Sequence, residues 1–285
     1  MLNTDRVYML AADHRWQWEE WCGQRRIPRE RIAEAKRLAL DGFVDAQSRS
    51  PLVREFGALL LDEQYSRAVI GDALAQGITV GTPAEKAGVF PLDWATEPFS
   101  DSLTGSFVKV LIRDRPDAVE AHEQQLEKLL ELQTWCKHAH KPLVVEILVA
   151  RRDEPADWFD ATGRPEMIAA IVRDGYRRGL TPTFWKIEGT LDREGARVID
   201  RAVAEHPDGR QIILGKAADL KTVTRWFEAA SESATAAGFA IGRTVFWDAS
   251  AAFLEGALSA ASATRHIADR YLQLVDMWPI RKVSY

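Results

Sequence analysis

A closed (β/α)8 barrel, the TIM-barrel architecture of the α/β class, is what this sequence predicts. Three observations carry the prediction: eight short apolar runs, helical periodicity between them, and no dinucleotide fingerprint after the first run. The runs fall at residues 7–12, 58–61, 78–81, 107–112, 143–149, 184–187, 211–215 and 239–245. Most are continuous rather than alternating, as parallel strands are when helices cover one face and a barrel interior fills the other. Between them, residues 29–47 place Ile32, Ala35, Leu38, Ala39 and Val44 on one side with charges opposite, behind Pro28 at a first-turn position. Residues 117–137 set Val119, Leu126, Leu129, Leu130 and Trp135 in similar register, and helices also fit 165–177, 192–205, 221–237 and 263–277. A doubly wound sheet is the competing arrangement. It wants GxGxxG just after the first strand, whereas that strand runs into Ala11-Ala12-Asp13-His14-Arg15. No Pro/Gly/Ser-rich linker divides the chain, so residues 1–285 read as one barrel domain with a long loop at 91–105.

Hydrophobic residues make up 46% of the 285 and charged residues 28%, an ordinary composition for a globular protein with a proper core. The net charge is −5 and no cluster of five or more basic residues occurs, so nucleic acid is not expected as a partner. Cys22 and Cys136 are far apart and form no CxxC, which suits a reducing cytoplasm and packing roles. The N-terminus lacks a basic region followed by a long apolar stretch, and the apolar runs are far short of a bilayer span. A cytoplasmic protein with no membrane partner is the expectation. The ten tryptophans are scattered without a repeat period and read as padding of the outer layer and loops.

In a barrel of this kind the active site lies at the C-terminal ends of the strands. Strand one ends in Asp13, His14 and Arg15; strand two in Asp62, Glu63 and Gln64; strand three in Thr82, with Glu85 and Lys86 beyond. Strand four contains Lys109, strand five Glu146, strand six Lys186 and Glu188; Lys216 follows strand seven, and strand eight holds Gly242-Arg243. A lysine inside an apolar run is costly unless it is paired or has work to do. Lys109 in Phe-Val-Lys-Val-Leu-Ile and Lys186 in Phe-Trp-Lys-Ile-Glu-Gly are the most embedded. A second ammonium and a low-dielectric wall both lower a lysine's pKa, leaving free amine to attack a ketone at neutral pH. That is Schiff-base aldolase chemistry, and Glu146, embedded in Val-Val-Glu-Ile-Leu, can move the protons it requires. The plain alternative is an inward Lys–Glu pair that satisfies only itself, with Asp13 a loop cap and His14 a loop histidine.

A zinc site is short of ligands. Only His14 falls at a strand end, whereas His122, His138, His140, His206 and His266 belong to helices or their ends, and no HExxH occurs. A carboxylate-bound magnesium site built from Asp13, Asp62 and Glu146 stays open as an alternative. Leu214-Gly215-Lys216 and Ile241-Gly242-Arg243 place a glycine and a cation after consecutive strands, where barrels often bind phosphate through backbone N–H groups and a positive side chain.

Six segments occur in a recognisable order: Ala-Ala-Asp13-His14-Arg15, Leu-Leu-Leu-Asp62, Val-Lys109-Val-Leu, Val-Glu146-Ile-Leu, Trp-Lys186-Ile-Glu188 and Ile-Gly242-Arg243-Thr-Val-Phe-Trp247. Over nearly the whole chain this pattern resembles the class I aldolases related to tagatose-1,6-bisphosphate aldolase and sulfofructose-phosphate aldolase. More closely, it resembles the aldolase-like domain of unassigned function fused to the C-terminus of some 5-dehydro-2-deoxygluconokinases of myo-inositol catabolism. The resemblance implies a lyase with no cofactor, in which Lys186 forms the Schiff base, Glu146 shuttles protons and Lys109 is a substrate-binding ammonium. It also implies that Gly242 and Arg243 hold phosphate, beside Gly215 and Lys216, and that Asp13 contacts substrate hydroxyls. His14, Arg15, Asp62, Gln64 and Glu188 complete the expected substrate contacts. His14 departs from the family, which carries glutamine there.

The fusion partner points to 2-deoxy-5-keto-gluconate 6-phosphate, cleaved to dihydroxyacetone phosphate and malonate semialdehyde, with Arg15 or Lys109 meeting the carboxylate. Tagatose 1,6-bisphosphate and sulfofructose phosphate are the other substrates in view. Two rivals use the same barrel: a metal-dependent isomerase or lyase, and a non-catalytic sugar-phosphate sensor. Relatives assemble as dimers or larger, which makes a homo-oligomer the expectation, with residues 278–285 docking on a neighbour.

Overall fold

The structure, a computed structural model, describes residues 2–279; most of the segment 278–285 expected to dock on a neighbour lies outside the described residues. The chain opens with β1 (Val7–Ala11), α1 (Trp16–Arg25), α2 (Ile32–Arg49), α3 (Pro51–Phe56), β2 (Gly57–Leu60), α4 (Glu63–Ala75) and β3 (Val80–Pro83). There follow β4 (Phe107–Arg113), α5 (Val119–His138), β5 (Leu143–Leu148), α6 (Ala156–Trp158), α7 (Arg164–Arg177), β6 (Phe184–Glu188), α8 (Arg193–Val203) and β7 (Gln211–Leu214). The chain then closes with α9 (Leu220–Ala230), β8 (Ala236–Ile241), α10 (Arg243–Leu254) and α11 (Ala260–Met277). All eight strands pair in parallel in sequence order, and β8 returns to β1 through Val7 opposite Gly238 to close the barrel.

Successive residues of a strand point to opposite faces, and here that alternation sorts two cores. Val7, Met9, Ala11, Leu60, Phe107, Val144, Phe184 and Ile212 fill the barrel interior, while Tyr8, Leu10, Leu59, Val108 and Val145 pack outward under the helices. One step along β4, β5 and β6 from the interior layer of Phe107, Val144 and Phe184, the same inward face presents Lys109, Glu146 and Lys186. Aromatic stacking seals the β1–β8 side, where Trp18 of α1 lies on Trp247 of α10 with ring centroids 3.9 Å apart. Cys22 and Cys136 are buried and unpaired.

Two strands depart from the expected bounds by more than one residue. Strand three begins at Val80 rather than residue 78, because Gly77 at φ 74° ends α4 and the Ile78 N–H returns to the Ala73 carbonyl at 3.0 Å. Strand eight runs Ala236–Ile241 and not 239–245, since Gly242 opens α10, whose apolar sequence carries little polar punctuation. The helix expected over 221–237 stops at Ala230. Beyond it the Asp200 carboxylate accepts the N–H groups of Ala234 and Thr235, both at 2.9 Å, and fixes a turn. No described helix is long and apolar enough to cross a membrane.

Candidate active site

At the C-terminal ends of the strands a cavity of about 110 Å³ opens, lined by Asp13, His14, Arg15, Glu85, Lys109, Arg113, Glu146, Lys186, Lys216 and Arg243 among others. The parity that fills the barrel with Phe107, Val144 and Phe184 aims Lys109, Glu146 and Lys186 into it from three adjacent strands. Glu146 Oε2 lies 2.9 Å from Lys186 Nζ and 2.9 Å from Lys109 Nζ, so one carboxylate oxygen bridges two ammonium groups. Lys109 reaches two further carboxylates, Asp13 at 3.0 Å and Glu85 at 2.9 Å. Glu85 in turn accepts from Arg15 at 3.2 Å and from the Leu111 N–H at 3.1 Å.

The charges are strongly interdependent. Burial alone would hold Asp13 and Glu146 neutral, but the nearby ammoniums of Lys109 and Lys186 more than offset it and push both carboxyls below their ordinary range. Burial likewise works against the charge on Lys109, yet Asp13, Glu146 and Glu85 together raise its pKa above the usual lysine value. An ammonium has three N–H donors, and those of Lys109 face three carboxylates. The expected role of Lys109 in binding substrate or its carboxylate therefore finds no spare donor in this arrangement. Lys186 has one such partner, Glu146. Burial pulls the His14 pKa down to about 3, with Arg243, Lys36 and Lys186 opposing Asp13, so His14 is a neutral imidazole. Its buried Nδ1 has no hydrogen-bond partner.

On the opposite side, Gly215, Lys216, Gly242 and Arg243 all line the cavity. A side chain at residue 242 would collide with the Ala11 carbonyl and meet His14 Cε1 at 2.8 Å, which is why glycine stands where the chain leaves β8 for α10. Lys216, at φ 43°, turns its ammonium to Glu188 at 2.8 Å. Burial lowers the pKa of Arg243 against the pull of Glu146 and Asp13, and its buried Nε lacks a partner.

Three expected substrate contacts lie elsewhere. Asp62 is fully buried beneath the mouth, where it accepts from Lys36 at 2.6 Å and caps α4 through the Tyr65 N–H at 2.8 Å. The trio of Asp13, Asp62 and Glu146 therefore does not converge on a magnesium site, and among the described residues no group of three His, Cys, Asp or Glu side chains is arranged to hold a metal ion. Gln64 donates to Glu19 at 2.9 Å and does not border the cavity. Glu188 is sealed at the end of β6 between Arg164 and Lys216. Conversely, Glu85 stands at the centre of the cluster, although its position after strand three was the only sequence sign of it. Arg113 also borders the cavity, one residue past the expected end of strand four.

Solved structures with the same architecture include a Schiff-base-forming fructose-1,6-bisphosphate aldolase, with TM-score 0.57, 16% identity, and coverage of 96% of this chain and 94% of that one. Fructose-bisphosphate aldolase from Plasmodium falciparum aligns with TM-score 0.69, 12% identity and coverage of 97% and 92%. An archaeal fructose 1,6-bisphosphate aldolase gives 0.55, 16%, and 97% and 94%. At such identities the likeness is one of fold. No curated protein matches the sequence. A family described as uncharacterized proteins conserved in bacteria, DUF2090, matches residues 2–282, and this chain belongs to it.

Proposed function

We propose that this chain is a class I aldolase, a carbon–carbon lyase that cleaves a phosphorylated keto sugar or sugar acid through a Schiff base on Lys186. One observation carries the reading: Glu146 Oε2 bridges two buried amines, and only Lys186 has donor capacity left toward the cavity. Lys109, surrounded by three carboxylates, stays an ammonium and holds Asp13, Glu85 and Glu146 in place. A metal ion would have to displace it.

As a ketone enters, the Lys186 ammonium passes a proton to Glu146 and its nitrogen attacks the carbonyl carbon. Glu146 returns the proton to the carbinolamine hydroxyl, which leaves as water. The iminium then accepts the electron pair of the breaking C–C bond while Glu146 removes the proton of the β-hydroxyl. Protonation of the resulting enamine and hydrolysis of the imine release the ketone product and restore Lys186. Asp13 bonds substrate hydroxyls, neutral His14 and Arg15 flank them, and Gly215, Lys216, Gly242 and Arg243 receive the phosphate.

The specific substrate we propose is 2-deoxy-5-keto-gluconate 6-phosphate. Its C5 ketone lies beside the phosphorylated carbon, so retro-aldol cleavage between C3 and C4 gives dihydroxyacetone phosphate and malonate semialdehyde. The resemblance of the sequence to domains fused to 5-dehydro-2-deoxygluconokinases supports this choice. Coupled detection of dihydroxyacetone phosphate tests it, with tagatose 1,6-bisphosphate and sulfofructose phosphate as competitors and EDTA present throughout. Turnover preferring the keto acid is expected; no cleavage of any of the three contradicts the reading.

A further inference from the structure

Six fully basic side chains line the mouth cavity: Arg15, Lys109, Arg113, Lys186, Lys216 and Arg243. Four of them meet a carboxylate: Arg15 pairs with Glu85, Lys109 and Lys186 with Glu146, and Lys216 with Glu188. Arg113 and Arg243 have no carboxylate within ion-pair distance among the described residues. A half-buried guanidinium at a cavity wall with no carboxylate in direct contact keeps its donors free for an anionic ligand.

The two lie far apart on the ring. Arg113 ends β4, on the inward face shared with Phe107, Lys109 and Leu111, and stands in register with Leu148 of β5, which lines the cavity beside it. Arg243 follows β8. In a closed barrel ordered β1 to β8, strands four and eight are diametrically opposed. Lys186, on β6, stands midway between them.

We propose that Arg113 is a second anion subsite, which makes the ligand of this cavity a chain with an anionic group at each end and its reacting carbon between. Arg243 receives the phosphate and Arg113 the distal carboxylate or second phosphate, in bidentate geometry. This inference rests on the mouth cavity being the substrate site. It selects against phosphorylated keto sugars whose far end is an uncharged hydroxymethyl group.

Calorimetric titration with three ligands of one configuration tests it without any carbonyl chemistry: glucitol 6-phosphate, 6-phosphogluconate and glucitol 1,6-bisphosphate. The wild-type protein is expected to bind the two-anion ligands about tenfold or more tightly than the monophosphate. Whichever of the two gains more distinguishes a carboxylate from a phosphate at the distal end. Arg113→Met should erase the advantage, Arg113→Lys should keep part of it, and Arg243→Met should weaken all three ligands. Equal affinities in the wild type, or an advantage that survives in R113M, would overturn the proposal. A failed cleavage assay alongside this binding pattern would refute the aldolase reading alone.

Discussion

Lys36 of α2 and Lys186 of β6 are both buried, at 1% and 4% exposure, and both touch a carboxylate. Around Lys36 every donor is used: the Ala12 carbonyl at 2.5 Å, the His14 carbonyl at 2.7 Å and Asp62 at 2.6 Å. It borders no part of the mouth cavity, and its bonds clamp the backbone on both sides of Asp13. Lys186 instead shares its one carboxylate with a second ammonium and faces open space. Burial and ion pairing therefore do not by themselves mark a reactive lysine. In the proposed mechanism the mark is unused bonding capacity beside a cavity, held in place by neighbours whose own capacity is used up.

The largest expected effect separates the two lysines by activity. Lys186→Met should lower kcat by ~10⁴ or more, as removal of a covalent nucleophile does, with little loss in Tm. Lys36→Met should reverse the pattern. It strands the Asp62 carboxylate and two carbonyls in the interior, at a cost of about 3–5 kcal/mol, visible as a lower urea midpoint with unchanged slope. If K186M unfolds as readily as K36M, the contrast fails. Glu146→Gln, which keeps shape but carries no proton, should reduce kcat by ~10²–10³, measured against unaltered ligand affinity.

The smallest effects are in pH dependence, and their signs distinguish the mouth from the outer layer. Asp13 and Glu146 have pKa values below the ordinary carboxylate range, so their contribution to stability is present above that range and is lost as pH falls through the lowered values. His122 behaves oppositely. Its ring nitrogens lie 2.6 Å from Asp114 and 2.8 Å from Asp174; burial disfavours its charge, but these two carboxylates raise its pKa above 6.5. Its contribution is present below 6.5 and is lost as pH rises through the raised value. The Tm difference between wild type and His122→Gln should accordingly shrink toward alkaline pH, and a difference constant with pH would contradict the assignment.

Much of this was legible in the sequence, because parallel strands covered on both sides write themselves as apolar runs. A lysine or glutamate inside such a run stands out, as Lys109, Glu146 and Lys186 do. Lys36 did not stand out, since a helix with one apolar stripe is expected to carry lysines and nothing in the spacing says which one turns inward. Asp62 and Glu188 followed strands as site residues do, but whether a strand-end carboxylate faces the cavity or a helix depends on tertiary partners, here Lys36 and Arg164. Arg113 fell outside the expected strand by one residue. The two-residue parity through Phe107, Lys109 and Leu111 was the signal that could have placed it inward.

The most direct test of the central claim is borohydride reduction in the presence of dihydroxyacetone phosphate, followed by mass analysis of proteolytic peptides. A stable adduct on the peptide containing Lys186, absent in K186M and retained in K36M, is the predicted result. An unmodified Lys186 peptide, or an adduct on Lys109 instead, would contradict it.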